Sequence, residues 1–190
     1  MPILKSFESD PEMIDVFRKY PHGIWSLCEL HDINLRGESP LTVAERELIA
    51  AYVSGVNACN YCFAAHQSIA EVYGVEAGVF EKIMDDPASA GVDSKLIPIL
   101  AYVKKLTLSP SRMTVLDAEA VYAAGWSERA LFDAVVVCAL FNFMNRLVDG
   151  TGMVANDMVR QEFLERMGRH ENDAETYRNF ARIVGAERPV

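Results

Sequence analysis

Positive charge, alternating hydrophobicity and cysteine are all scarce in this 190-residue sequence. Lysine and arginine number 18 against 27 aspartates and glutamates, leaving a formal charge of −9. Binding to nucleic acid needs a basic surface to meet the phosphates, so that partner class is excluded. No run of five like charges offers a binding tail. The opening MPILKSFESDPEM lacks the basic and apolar regions of a secretory signal. The most apolar run, residues 130–144, carries Asp133 and falls short of the roughly 20 apolar residues a membrane span needs. Four cysteines in a chain of this length do not make a secreted disulfide scaffold. These absences predict a cytoplasmic protein without a membrane partner. In that compartment a close cysteine pair serves catalysis or metal binding more often than cross-linking.

Strand-like alternation is missing too, as are G-x-G-x-x-G and Walker loops. What remains is helical periodicity. Asp10–Pro11 opens a first short helix, with Pro11 at its first position, and Pro21 closes it. A second helix covers Ile24 to Leu35 and stops at Gly37. Thr42 and Glu45 form a capping box ahead of Leu48, Ile49, Tyr52, Val53 and Val56. Asn57 then serves as N-cap of a helix that carries two cysteines and ends near Gly74.

A shorter helix follows up to Asp85–Asp86–Pro87, and another runs from Asp93 to Ser109–Pro110. Thr114 and Asp117 start the next, which Gly125 stops. Ser127 caps a long apolar helix to about Val148, with Gly150 and Gly152 at its exit; amphipathic helices over 155–167 and 172–184 complete the chain. The fold class is all-α: one helical-bundle domain over 1–190, long enough to bury about 70% of its unfolded surface.

An 83-residue shift sets ERELIAAYVSGVNACNYC (45–62) on ERALFDAVVVCALFNFMN (128–145), with five identities. Cys59 then falls on Asn142, Cys62 on Asn145 and His66 on Asp149. Residues 114–150 read either as a degenerate copy of the 42–74 hairpin or as a second buried helix of similar composition.

The chemistry gathers in NACNYCFAAHQ, residues 57–67. A cysteine is nucleophilic as its thiolate, which a helix N-terminus or a proton acceptor favours. Residues three or four apart share a helix face, so Cys62 neighbours both Cys59 and His66. The two cysteines can close a disulfide, and His66 can take a proton from Cys62 or return it. If the chain reverses between residues 56 and 57, positions summing to about 113 lie opposite, and Glu47 faces His66 to orient the imidazole. The rival is zinc bound by Cys59, Cys62 and His66, with Glu47 or water fourth. No second C-x-x-C or H-x-H cluster is present to complete a structural zinc site. Cys28 and Cys138, on apolar helices without nearby bases, read as packing.

Glu47 twelve residues before Cys59–Asn60–Tyr61–Cys62 with His66 beyond resembles the signature of the alkylhydroperoxidase D group of the carboxymuconolactone decarboxylase superfamily. ALFNFMNRLVDGTG (139–152) is similar to that group's uncharacterised peroxidase-related branch. The resemblance implies an all-helical homotrimer or hexamer that reduces hydroperoxides without a bound cofactor or metal. It implies Cys62 as peroxidatic cysteine, Cys59 as resolving partner and proton donor, and His66 with Glu47 as relay. It further implies an external thiol or lipoyl-type protein as reductant. Tyr61 departs from the family, which commonly has histidine there; its ring packs, or its hydroxyl meets a peroxide oxygen. Two alternatives come with these residues: a lactone-handling decarboxylase with incidental cysteines, and a redox or zinc sensor using Cys59, Cys62 and His66.

Overall fold

The computed structural model describes residues 2–154, 161, 165 and 174–189. Among them every regular element is helical, so the fold is all-α. The helices are α1 (Met13–Lys19), α2 (Ile24–Arg36), α3 (Val43–Val56), α4 (Asn60–Val72), α5 (Ala77–Lys82), α6 (Ile97–Leu108), α7 (Val115–Ala123), α8 (Glu128–Thr151) and α9 (Thr176–Ile183). Short 3-10 turns sit at Pro87–Ser89, Ser94–Leu96 and Pro110–Arg112. Of the helix expected at 155–167 all but residues 161 and 165 lie outside the described residues, and the one expected at 172–184 is the shorter α9.

By its internal contacts the chain forms two compact units, Ser39–Asn145 and Met1–Glu38 with Arg146–Val190. In the first, α3 packs chiefly against α4 and then α6. Residues 46–54 of α3 are all buried, which explains why this helix has little polar face: it is covered all round. Ile49, Val53, Ile69, Ile99, Leu100, Val103, Val137 and Phe141 build the core of this unit. Both expected capping boxes are present, Thr42 with Glu45 and Thr114 with Asp117.

In the second unit α2 packs on α9. The N-cap residue of α9, Glu175, makes no side-chain cap. Buried Asp32 of α2 takes that role, accepting from the backbone N–H groups of Tyr177 (2.8 Å) and Arg178 (3.0 Å) and from Arg178 Nε (2.9 Å). His31 stacks on Tyr177 beside it. Cys28, one turn back, is a packing thiol pushed up to about 12 by burial and then by the Asp32 charge.

Three local expectations are corrected. Pro11 precedes the N-cap Glu12 of α1 instead of occupying its first turn. Gly150 lies inside α8, which continues to Thr151 before Gly152 turns at φ +70°. At 24 residues α8 is therefore long and apolar enough to cross a membrane by length and composition, contrary to the shorter run read from the sequence. More than half of that stretch is buried within the protein, as expected of a core helix.

Candidate active site

Helix α3 ends in a Schellman turn. The Cys59 N–H donates to Ser54 O at 3.0 Å and the Ala58 N–H to Gly55 O at 2.9 Å. That turn needs one left-handed residue, and Ala58 supplies it at φ +57°. Glycine is usual there because a Cβ in this region costs about 1–2 kcal/mol. Side chains from α4 and from the turn after α5 close tightly on the end of α3. A Cβ on Gly55 would sit 2.5 Å from Met84 Sδ and 3.0 Å from the Phe63 ring.

Asn57 is not the N-cap of α4 but the C-cap of α3, and Cys59 occupies the N-cap position. The reason is tertiary: the Asn57 amide is engaged by Asn142 and Asn145 of α8 and cannot turn back onto α4. The shift moves the cysteines relative to the helix. Cys59 stands just outside α4, while Cys62 is its third residue. Negative charge on Cys62 therefore faces the positive end of the helix dipole.

The hairpin brings Glu47 to His66. Glu47 Oε2 lies 2.6 Å from His66 Nδ1, with Glu47 wholly buried and His66 nearly so. A carboxylate only accepts, so beside ionised Glu47 the hydrogen sits on Nδ1, and Nε2 is left to take up a proton. Phe141 closes the other side of the imidazole, edge-on at 4.3 Å between ring centroids. Cys59 and Cys62 are both buried, at 0% and 3% exposure. Tyr61, between them, is half-buried at the second position of α4.

Among the described residues no three His, Cys, Asp or Glu side chains converge as a metal set would, so the zinc alternative gains no geometry here. Cys138 lies in the same unit with burial pushing its thiol up, partly offset by hydrogen bonds from Thr107 and Asn142.

No family model and no curated protein matches the chain. Solved structures do. An uncharacterized peroxidase-related protein from Silicibacter sp. TM1040 is 27% identical, with a TM-score of 0.67 over 71% of each chain. An alkylhydroperoxidase AhpD core, an uncharacterized peroxidase-related protein from Ralstonia eutropha JMP134, is 24% identical, with a TM-score of 0.71 over 75% of each chain. The fold is that of the alkylhydroperoxidase D-like superfamily.

Within this alkylhydroperoxidase D-like fold, three asparagines and a serine beside the cysteine pair bond to one another, an arrangement that their separate roles in the sequence do not show. Asn57, Asn142, Asn145 and Ser54 form a connected polar group, with Ser54 and Asn145 buried and Asn57 and Asn142 half-buried. Their signal was available: Asn142 and Asn145 interrupt the long apolar helix, and a buried amide demands partners.

Proposed function

We propose that this protein is a thiol-dependent peroxidase of the alkylhydroperoxidase D type, cycling Cys59 and Cys62 between dithiol and disulfide. The observation that carries the reading is the buried Glu47–His66 pair at 2.6 Å, on the same hairpin as the cysteines and one helical turn beyond Cys62. The peroxidase-related names of the two structural neighbours point the same way.

In the proposed cycle His66 Nε2 accepts the Cys62 proton, and Glu47 stabilises the imidazolium that results. The Cys62 thiolate attacks the hydroperoxide O–O bond. One oxygen stays on sulfur as a sulfenic acid, and the other leaves as an alcohol with the proton returned by His66. Cys59, deprotonated in turn, attacks the sulfenic sulfur; the S–S bond forms and water departs. An external dithiol of the lipoyl kind, or another thiol, restores the pair by exchange and carries off the oxidising equivalents. The catalytic residues are thus Cys62 and Cys59, with His66 and Glu47 moving protons. The protein works in the cytoplasm as a homo-oligomer, a trimer or hexamer.

Thiol titration after mixing with excess cumene hydroperoxide tests this. Two of the four thiols should disappear, leaving Cys28 and Cys138, which burial holds as neutral thiols. An unchanged titre would remove the peroxidase reading. Lactone turnover that survives Cys59→Ser/Cys62→Ser would shift it to the lactone chemistry of the superfamily.

A further inference from the structure

The turn that delivers Cys59 is held by more than its own backbone. Asn57 Nδ2 donates to Asn145 Oδ1 at 2.8 Å and to Asn142 Oδ1 at 3.2 Å. Asn145 Nδ2 donates to Ser54 Oγ at 3.0 Å, and the Ser54 carbonyl accepts the Cys59 N–H, also at 3.0 Å. A closed ring of contacts therefore runs from Asn57 through Asn145 and Ser54 back to Cys59. Asn142 is fixed in turn, donating to Thr107 Oγ1 at 3.1 Å and to the Cys138 carbonyl at 3.0 Å. Ser54 and Asn145 are almost wholly buried. Buried, satisfied amides hold one geometry tightly, because any movement leaves a polar group unpaired in a low dielectric. Between Asn57 and Cys59 stands Ala58, the one non-glycine residue with positive φ among those described. A strained backbone persists only where its surroundings over-determine it.

We infer that Asn57, Asn142 and Asn145 are positioning residues: they clamp the backbone that carries Cys59 and so set the thiol–disulfide equilibrium of the Cys59/Cys62 pair. The inference rests on the redox reading of that pair. The two asparagines from α8 lie one turn apart and meet one amide two residues before the cysteine. Loosening that amide widens the positions open to Cys59 and lowers the effective concentration of one sulfur at the other. The disulfide form then loses ground to the dithiol.

Equilibration with reduced and oxidised dithiothreitol tests this. In that exchange two electrons and two protons pass from the cysteine pair to the cyclic disulfide, giving Cys59–Cys62 disulfide and dithiothreitol. Mass spectrometry after alkylation would give the disulfide fraction, with circular dichroism confirming the fold of each variant. Asn57→Ala and Asn145→Ala should each disfavour the disulfide about tenfold, a rise of about 30 mV in potential. The double variant should fall short of the sum of the two single ones, since both delete the shared Asn57–Asn145 hydrogen bond.

Asn57→Asp keeps the shape without the donor and should behave like Asn57→Ala. Ala58→Gly relaxes the turn without touching an asparagine; it should fold more stably and move the potential the same way. Wild-type potentials in the folded asparagine variants would overturn the clamp. If those variants do not fold, a wild-type potential in Ala58→Gly would overturn it. Because dithiothreitol replaces peroxide here, the two proposals separate. A pair that ignores peroxide yet shifts its potential keeps the clamp and loses the peroxidase. A peroxide-reactive pair with unmoved potentials does the reverse.

Discussion

The proposed relay turns on one buried contact. Glu47 is sealed from water and His66 nearly so, and the hydrogen bond between them orients both. Removing the imidazole would strand a buried carboxylate, a change that costs about 3–5 kcal/mol in comparable sites and confuses activity with unfolding. Glu47→Gln is the cleaner probe, because it keeps the shape and a neutral hydrogen bond while withdrawing the charge. The expected result is a folded protein whose kcat/KM for hydroperoxide falls about 100-fold, the lower range for lost general acid–base assistance. A peroxide-consumption assay reads it, and an unchanged rate would take Glu47 out of the relay. The Glu47–His66 register was legible in the sequence, because two helices joined by a short turn pair positions of constant sum. Asn57 was misjudged for a related reason. By identity it is a good N-cap, but asparagine's amide goes to whichever partner is buried with it, and Asn142 and Asn145 lie 85 and 88 residues away.

At the scale of the element, most boundaries were readable where a local signal fixes them. The capping boxes at Thr42 and Thr114 are contained within four residues and needed no tertiary information. Ends set by glycine were less secure: Gly150 is absorbed into α8 while Gly152 ends it, and only the packing decides between them. The α6–α7 pairing also depends on a distant contact. Lys105 Nζ meets both Asp117 oxygens at 2.7 Å, and that bond, with those from Thr114, lowers the Asp117 carboxyl from 3.8 to about 2. A depressed carboxylate contributes stability that is present above its unfolded value and is lost as pH falls through the folded one. Lys105→Met should therefore lower the thermal midpoint at neutral pH, and its gap from the wild type should close between pH 3.8 and about 2. Thermal melts across that range would show it; a gap independent of pH would mean that Lys105 acts through packing alone.

At the scale of the molecule, the fold class was legible because helical periodicity runs through the chain and nothing competes with it. The proposed assembly is expected from the resemblance and from long helices apolar on more than one face, and α8 offers a surface for it. Phe132 and Phe143 are 61% and 54% exposed, and their spacing of three helical turns puts them on one face. Exposed aromatics aligned in this way suit a partner copy better than water. Phe132→Ser/Phe143→Ser should reduce the molecular mass in light scattering from that of a trimer or hexamer toward the monomer. An unaltered mass would move the interface elsewhere. The net charge of −9 favours a solvated outer surface.

In the proposed cycle Cys62 attacks a peroxide and Cys59 resolves the product. Cys59→Ser separates the two steps by removing only the second sulfur. Exposed to one equivalent of hydroperoxide in the presence of dimedone, this variant should carry the sulfenic-acid adduct on the peptide containing Cys62, detected by mass spectrometry. No adduct on that peptide, or an adduct on Cys28 or Cys138 instead, would contradict the assignment.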